Sequence, residues 1–236
     1  MRITIKIKRQ ESREAEPYFQ ILVWVCDEST TVATLLREIN AAGIKDTSGV
    51  PVNEIAWECS CLQKKCGACA MVINGLPRLA CDTKIGEIKS NRIIIEPLKK
   101  FPVVRDLIVD RSVLRENLLA IHNWLEREAV VNKKNTDLAY DASRCLQCGC
   151  CLEVCPNFTA DDSFFSAAAF VPASRILSEL PKRKKYEIVT EYKKHIYDGC
   201  GKSLSCHNIC PAGIDVERKL SNSNSVAIWK RFFSKE

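Results

Sequence analysis

The stretch that decides the fold is Cys145-Leu-Gln-Cys148-Gly-Cys-Cys151-Leu-Glu-Val-Cys155-Pro156. Two, two and three residues separate its four numbered cysteines, and proline follows the last of them. Thiolates are strong ligands for iron and zinc, so a run this dense indicates a metal site. The spacing is that of bacterial [4Fe–4S] ligand runs, in which the last cysteine serves the other cluster of a two-cluster protein. Cys150 is out of register and is not expected to be a ligand.

An incomplete copy of this run lies near the C-terminus, with Ser203 at the position of its second cysteine. If the two runs exchange their last cysteines, one cluster receives four thiolates and the other three. Three thiolates favour a [3Fe–4S] cluster, and a hydroxyl is a poor iron ligand, so Ser203 is not expected to bind iron. The predicted ligands are Cys145, Cys148, Cys151 and Cys210 for [4Fe–4S], and Cys155, Cys200 and Cys206 for [3Fe–4S].

A third cysteine group lies in the N-terminal half and has a different spacing. It contains the C-x4-C-x2-C loop of plant-type [2Fe–2S] proteins, followed by a fourth cysteine eleven residues later. A zinc ribbon would require paired C-x2-C knuckles, which Cys61 and Cys81 do not supply. Cys59 is interpreted as a bystander near the cluster, and Cys26, in its apolar strand, as a small core residue. The predicted [2Fe–2S] ligands are Cys61, Cys66, Cys69 and Cys81.

Composition sets the remaining bounds. The 236 residues include 14 cysteines. The sequence shows neither an export signal at its N-terminus nor an apolar run long enough to span a membrane, so metal chemistry in the cytoplasm is favoured over disulfides. The formal charge of +6 could indicate nucleic acid. Three oxidised clusters with their thiolates, each carrying about −2, would cancel it, so no nucleic-acid partner is expected. The basic run 182–185 is interpreted as solvated surface. A zinc protein that binds nucleic acid is the alternative in another class.

Hydrophobic patterns divide the chain near residues 101–106, and we place the boundary between residues 104 and 105. Residues 1–104 predict a β-rich domain with one helix, and residues 105–236 predict a helical one. The Tyr18–Val25 strand is apolar on both faces and is therefore expected to be central. The other expected elements are a strand around Ile3–Ile7, a helix over Val32–Ile39 capped by Thr30 or Thr31, a hairpin at Asn74-Gly75, a strand over Asn91–Glu96, a helix within 110–131 whose stripe ends at Leu125, and a connector over 132–137.

Three segments identify a resemblance that runs over nearly the whole chain: residues 66–75 (CGACAMVING), 101–107 (FPVVRDL) and 151–156 (CLEVCP). Together with the three cysteine groups, they resemble the iron–sulfur subunits of succinate dehydrogenase and fumarate reductase. The resemblance implies an α+β protein: a β-grasp plant-type ferredoxin domain followed by an all-helical bacterial-ferredoxin-like domain.

The same resemblance implies the partners. A flavoprotein subunit would hold FAD and the dicarboxylate site near the [2Fe–2S] cluster, and quinone would bind at a membrane anchor near the [3Fe–4S] cluster. The complex would lie on the cytoplasmic face of the inner membrane, and whether the anchor binds haem b stays open. The chain alone is not expected to be catalytic.

Two departures from the ubiquinone-linked pattern favour the menaquinone-linked branch. Asn157, Phe158 and Thr159 follow Pro156 where that pattern has tryptophan, and Gly201 follows Cys200 where it has histidine. An alternative keeps the clusters and changes the flavoprotein, as in a thiol-dependent fumarate reductase. Those subunits carry a further cysteine-rich domain after the last motif, so the sequence disfavours this reading.

Overall fold

The computed structural model describes residues 1–125, 128, 133–179 and 187–229, without the side chains of residues 133–135. The chain forms two compact units, Met1–Arg111 and Ser112–Glu236. The basic run 182–185 lies outside the described residues. The domain boundary between residues 104 and 105 stays a prediction.

Unit 1 is built on a five-stranded sheet with the order β2-β1-β5-β3-β4. In β1, Ile3, Ile5 and Ile7 are at most 1% exposed and alternate with polar residues on the other face, as the period of two predicts. β1 pairs antiparallel with β2 and parallel with β5. The strands are β1 (Arg2–Arg9), β2 (Tyr18–Val25), β3 (Ala70–Ile73), β4 (Leu76–Leu79), β5 (Arg92–Glu96), and the separate pair β6 (Val103–Arg105) and β7 (Ile108–Val109).

The expectation that the Tyr18–Val25 strand is central was wrong. β2 is an edge strand, and Ile21, Val23 and Val25 are between 37% and 73% exposed on its outer face. On the inner face Gln20 and Leu22 are buried. A strand that is apolar on both faces therefore covers the core with one face only. The apolar outer face misled the prediction, because it resembles a strand buried on both sides.

The helix and the hairpin form as predicted. α1 (Val32–Ala42) begins after Thr31, whose Oγ1 accepts a hydrogen bond from the Thr34 N–H, and it ends at Gly43 in the left-handed region. Asn74 and Gly75 both have positive φ in the turn between β3 and β4, which the right-handed twist of a two-residue hairpin requires.

A buried ion pair fixes the segment between β6 and β7 to the sheet. Arg9 Nε lies 3.0 Å from Asp106 Oδ1, with the two side chains 4% and 2% exposed. Asp106 also accepts backbone N–H bonds from Gln10 and Ala56, and Arg9 donates to Gln20. The pair thus joins four separate parts of unit 1.

Replacing Arg9 with methionine is expected to lower the free energy of unfolding by about 3–5 kcal/mol, because Asp106 would remain as an unpaired buried charge. Urea denaturation of both proteins measures the difference. The control is Lys99→Met, which breaks the exposed Lys99–Glu96 pair and is expected to cost less than about 1 kcal/mol. Equal losses in the two variants would contradict this role for the buried pair.

Unit 2 is helical in the described residues, and its centre is α5, which is buried over most of its length and contacts α2, α3, α4, α6 and α7. Pro172 lies inside α5. The helices are α2 (Ser112–Ala120), α3 (Lys133–Ser143), α4 (Cys150–Glu153), α5 (Ser166–Glu179), α6 (Glu187–Tyr192) and α7 (Val216–Asn224), with π-helical turns at Lys193–Tyr197 and Ser225–Trp229.

Two expectations for this unit were wrong. The helix predicted to carry Leu125 ends earlier, at Ala120, because His122 adopts a φ of +55° and turns the chain. Leu125 is 39% exposed. Of the predicted connector over 132–137, residues 133–137 instead form the first part of α3, and residue 132 lies outside the described residues. Packing of α3 against α5 outweighs the weak helical signal of that polar stretch. None of the described helices is long and apolar enough to span a membrane.

Candidate metal centres

The register of the β3–β4 hairpin brings the ends of the first cysteine group together. Cys69 directly precedes β3, Cys81 lies two residues after β4, and Ala70 pairs with Leu79. The Ala80 N–H donates to the Cys69 carbonyl at 3.0 Å, which closes the open end of the hairpin. The loop before β3 carries the other two cysteines of the group, and Cys61 lies within hydrogen-bonding reach of Cys66.

Backbone N–H groups of this loop already point at thiol sulfurs. The amides of Gln63 and Lys65 donate to Cys61 Sγ at 3.4 and 3.3 Å, and the Lys64 amide donates to Cys81 Sγ at 3.4 Å. The loop has positive φ at Leu62, Lys64 and Gly67, which turns successive amides toward one side. Such a concave array of N–H groups stabilises an anion, and an iron–sulfur cluster with its thiolates is an anion. The residues therefore fit a [2Fe–2S] cluster.

The thiols of this group differ in acidity. The Gln63 amide, the Cys66 side chain and the Lys65 amide lower the pKa of Cys61 to about 7. Burial raises the pKa of Cys69 to about 12. Because iron binds thiolates, cluster assembly here must displace a proton from a buried thiol.

Arg111 closes this loop from the C-terminal end of unit 1, and the sequence did not single it out. Its guanidinium donates to the carbonyls of Ala68 and Ala70, on either side of Cys69, at 2.9 and 3.3 Å. It also pairs with Glu58 at 3.2 Å. Arg111 thus holds the backbone carbonyls of the residues before and after Cys69. A lone arginine forty residues away carries no sequence signal for this contact.

The second centre combines residues of both C-terminal runs. A small cavity is lined by Cys145, Cys148, Cys151 and Cys210. Arg144 holds the two runs together: it donates to the carbonyl of Ala212, two residues after Cys210, at 2.6 Å. The structure therefore brings Cys210 to the cysteines of the other run. Four thiols around one cavity fit a [4Fe–4S] cluster.

The third centre lies in a separate small cavity, lined by Cys155, Cys200 and Cys206 and by the exposed residue Ser203. Lys202 and Leu204, on either side of Ser203, both have positive φ, so this loop is also turned around the cavity. Three thiols and the hydroxyls of Ser166 and Ser203 line the space. This donor set fits a [3Fe–4S] cluster better than a four-iron cluster, because a hydroxyl is the weaker iron ligand.

Burial dominates the acidity of the thiols in unit 2. It raises the pKa of Cys145, raises that of Cys151 well above the ordinary value, and raises that of Cys206 to about 11. Neighbouring thiols add to the effect: Cys148 and Cys210 raise the pKa of Cys145, and Cys155, Cys200 and Cys210 raise that of Cys206. In the part of the chain that the structure describes, no three His, Cys, Asp or Glu side chains are arranged to hold a single metal ion.

The three spare cysteines occupy different environments. Cys59 is exposed, and Cys150 is fully buried at the start of α4. Cys26 was expected in the core, but it follows the end of β2 and is only half-buried. Their assignment as residues that bind no metal stays a prediction.

Comparison with known families agrees with one kind of cluster site in the N-terminal half of the chain and another in the C-terminal half. Residues 4–116 match the family described as a 2Fe-2S iron-sulfur cluster binding domain, and residues 141–214 match the 4Fe-4S dicluster domain. The fold and its cysteine groups thus define an iron–sulfur protein with an electron-transfer role.

Individual relatives identify the family. The chain is 30% identical to the succinate dehydrogenase iron-sulfur subunit of Bacillus subtilis, over 98% of this chain and 95% of the relative. It is 25% identical to the fumarate reductase iron-sulfur subunit of Wolinella succinogenes, over 93% and 94%. The fold matches a chain of the Mycobacterium smegmatis Sdh1 complex with a TM-score of 0.77, at 19% identity over 98% and 97% of the two chains. The chain belongs to the family of succinate dehydrogenase and fumarate reductase iron–sulfur subunits.

Proposed function

We propose that this chain relays electrons between an FAD-containing dicarboxylate oxidoreductase subunit and menaquinone at a membrane anchor. It would do so as the iron–sulfur subunit of a succinate:quinone oxidoreductase or quinol:fumarate reductase on the cytoplasmic face of the inner membrane. The clusters supply one-electron carriers, and the chain's own residues hold and insulate them. Support comes from the family membership and from the end-to-end similarity to both kinds of subunit.

The proposed ligands are the eleven cysteines assigned from the sequence. Residues 1–104 would form a β-grasp plant-type ferredoxin domain and residues 105–236 a helical ferredoxin-like domain. The observation that carries the proposal is the position of Cys210, which lines the cavity of Cys145, Cys148 and Cys151 and not that of its own run. Because a last-cysteine exchange is the mark of two-cluster ferredoxin runs, this grouping supports two clusters in unit 2.

The proposal of menaquinone rests on the two departures from the ubiquinone-linked pattern. Their residues, Asn157 and Gly201, lie next to each other in the structure. Asn157 Nδ2 donates to the Gly199 carbonyl at 2.7 Å, and a Cβ atom at Gly201 would lie 3.0 Å from the same nitrogen. A side chain at position 201 would therefore press on Asn157, which would have to move by a few tenths of an ångström. Both positions lie in the wall of the third cavity.

The direct test is reduction of the clusters by succinate. In a membrane complex purified through this chain, succinate is expected to reduce the clusters, and a water-soluble menaquinone analogue is expected to reoxidise them. Visible absorbance and EPR follow both steps. The chain purified alone serves as the control and should not respond to succinate. A complex that lacks a flavoprotein, or clusters that succinate and fumarate both leave unchanged, would contradict the proposal.

A second candidate keeps the clusters and replaces the flavoprotein, as in a thiol-dependent fumarate reductase. The chain is 34% identical over 76% of its length to an uncharacterized iron-sulfur protein of Methanocaldococcus jannaschii, of which the match covers only 37%. The name of that relative assigns it no flavoprotein partner, so the match leaves the choice of flavoprotein to experiment. Reduction of the clusters by a thiol and not by succinate would select it.

A further inference from the structure

One side chain outside the predicted ligand set touches the second metal centre directly. Gln147 Nε2 lies 3.2 Å from Cys145 Sγ and 2.9 Å from the carbonyl oxygen of Ala168. An amide nitrogen carries two N–H donors, so it can serve both acceptors at once. The Ala168 carbonyl accepts only, which fixes the nitrogen of the amide toward these two atoms.

The Ala168 carbonyl needs this donor because of Pro172. In an α-helix the carbonyl of residue 168 accepts from the N–H of residue 172, and proline has none. Ala168 is 4% exposed, so water replaces that bond poorly. Because residue 172 is proline, the buried Ala168 carbonyl lacks its helical donor, and Gln147 donates a hydrogen bond to it instead.

The backbone shows that the loop is shaped for this contact. Gln147 adopts a φ of +50°, a left-handed conformation that is unfavourable for a residue with a side chain. The following Gly149 also has positive φ, at +88°. The unfavourable conformation at Gln147 is compensated by bonds that fix its amide between α5 and the sulfur of Cys145.

From this geometry we infer that Gln147 raises the reduction potential of the [4Fe–4S] cluster by donating a hydrogen bond to a ligand sulfur. The Ala168 carbonyl, which Pro172 leaves without its helical donor, sets the position of Gln147. The inference rests on the proposed ligation of that cluster by Cys145. A reduced cluster with its thiolates carries one more negative charge than the oxidised one. An N–H donated to the sulfur is therefore stronger in the reduced state and favours reduction.

Gln147→Leu removes the donor and keeps the approximate volume. At a fixed potential near the midpoint, the ratio of reduced to oxidised [4Fe–4S] cluster is expected to fall at least about threefold. This is the effect expected if the reduced state loses part of the free energy of one hydrogen bond relative to the oxidised state. For a one-electron couple this is a shift of about 30 mV toward lower potential, at 59 mV per tenfold. Redox potentiometry followed by EPR on the full chain with its clusters assembled measures it.

Leu152→Met is the matched control, because Leu152 is buried in the neighbouring α4, is not among the described residues that line this cavity, and its change leaves the hydrogen bond in place. Its midpoint is expected to equal that of the parent. A Gln147 that only supports the loop would show a different result: Gln147→Leu would lower cluster occupancy or unfolding temperature, and the clusters that remain would keep the parental midpoint. That result, or equal shifts in both variants, would overturn the inference.

Cys145→Ser separates this inference from the proposed ligation. If Cys145→Ser loses the [4Fe–4S] signal and Gln147→Leu keeps the parental midpoint, the inference about Gln147 is wrong and the ligand assignment stands. If Cys145→Ser keeps an unchanged [4Fe–4S] cluster, the ligand assignment is wrong, and the inference fails with it.

Discussion

Replacing Cys210 with alanine is expected to abolish the EPR signal of the reduced [4Fe–4S] cluster and to leave the [3Fe–4S] cluster in place. In sequence, Cys210 belongs to the run that supplies two proposed [3Fe–4S] ligands, and a reading of each run as one site predicts the opposite result. In the structure, Cys210 lines the cavity of Cys145, Cys148 and Cys151. With one thiolate missing, that cavity would hold at best a three-iron cluster, so the four-iron signal disappears in either case.

Two variants make the result specific. Cys155→Ala is the reciprocal change and is expected to remove the [3Fe–4S] signal, although Cys155 belongs to the run with three proposed [4Fe–4S] ligands. Cys150→Ala removes a buried cysteine of the same run that is out of register, and it should leave all the signals unchanged. If Cys210→Ala loses only the three-iron signal, the exchange of ligands between the two runs does not occur.

Ser203→Cys is expected to convert the third cluster from [3Fe–4S] to [4Fe–4S]. Ser203 lines the cavity of Cys155, Cys200 and Cys206, so a thiolate there would complete a set of four ligands. The near-isotropic signal of the oxidised three-iron cluster should disappear, and a second [4Fe–4S] signal should develop after reduction. The added iron and thiolate are expected to lower the potential of this cluster and make electron exchange with quinone less favourable.

Ser205→Cys is the matched control for this conversion. Ser205 lies two residues further along and within 3.3 Å of Ser203 Oγ, and it is not one of the described residues that line the cavity. It adds the same thiol nearby and should retain the three-iron signal. A parent protein that already lacks this signal, with Ser203 bound to a fourth iron, would show that the assignment of the third cluster is wrong.

The sequence predicted the elements whose signals are local. β1 follows from the alternation of its isoleucines, α1 from its Thr31 cap and Gly43, and the hairpin from Asn74-Gly75. The position of β2 at the sheet edge could not be read in this way, because it depends on which strand lies beside it. A strand pattern carries no information about its neighbours when both faces are apolar.

The candidate site likewise has a part that the sequence predicts and a part that it does not. The three cysteine groupings follow from spacing, because ligand runs are short and rigid, and the comparison with families supports two of the cluster types. The supporting contacts do not follow from spacing. Arg111 reaches the carbonyls on either side of Cys69 across more than forty residues, and Gln147 donates to a carbonyl that lacks its helical donor because residue 172 is proline. Both contacts depend on tertiary packing, which no local pattern encodes.

The central claim is that one chain holds three different clusters on eleven cysteines. Mössbauer spectroscopy of the ⁵⁷Fe-enriched chain, purified without oxygen, tests it most directly, because the method resolves each iron environment and counts it. The account predicts about nine iron atoms per chain, divided in the ratio two to four to three among [2Fe–2S], [4Fe–4S] and [3Fe–4S] components. A spectrum with two four-iron clusters, or a chain that binds zinc in place of iron, would contradict it.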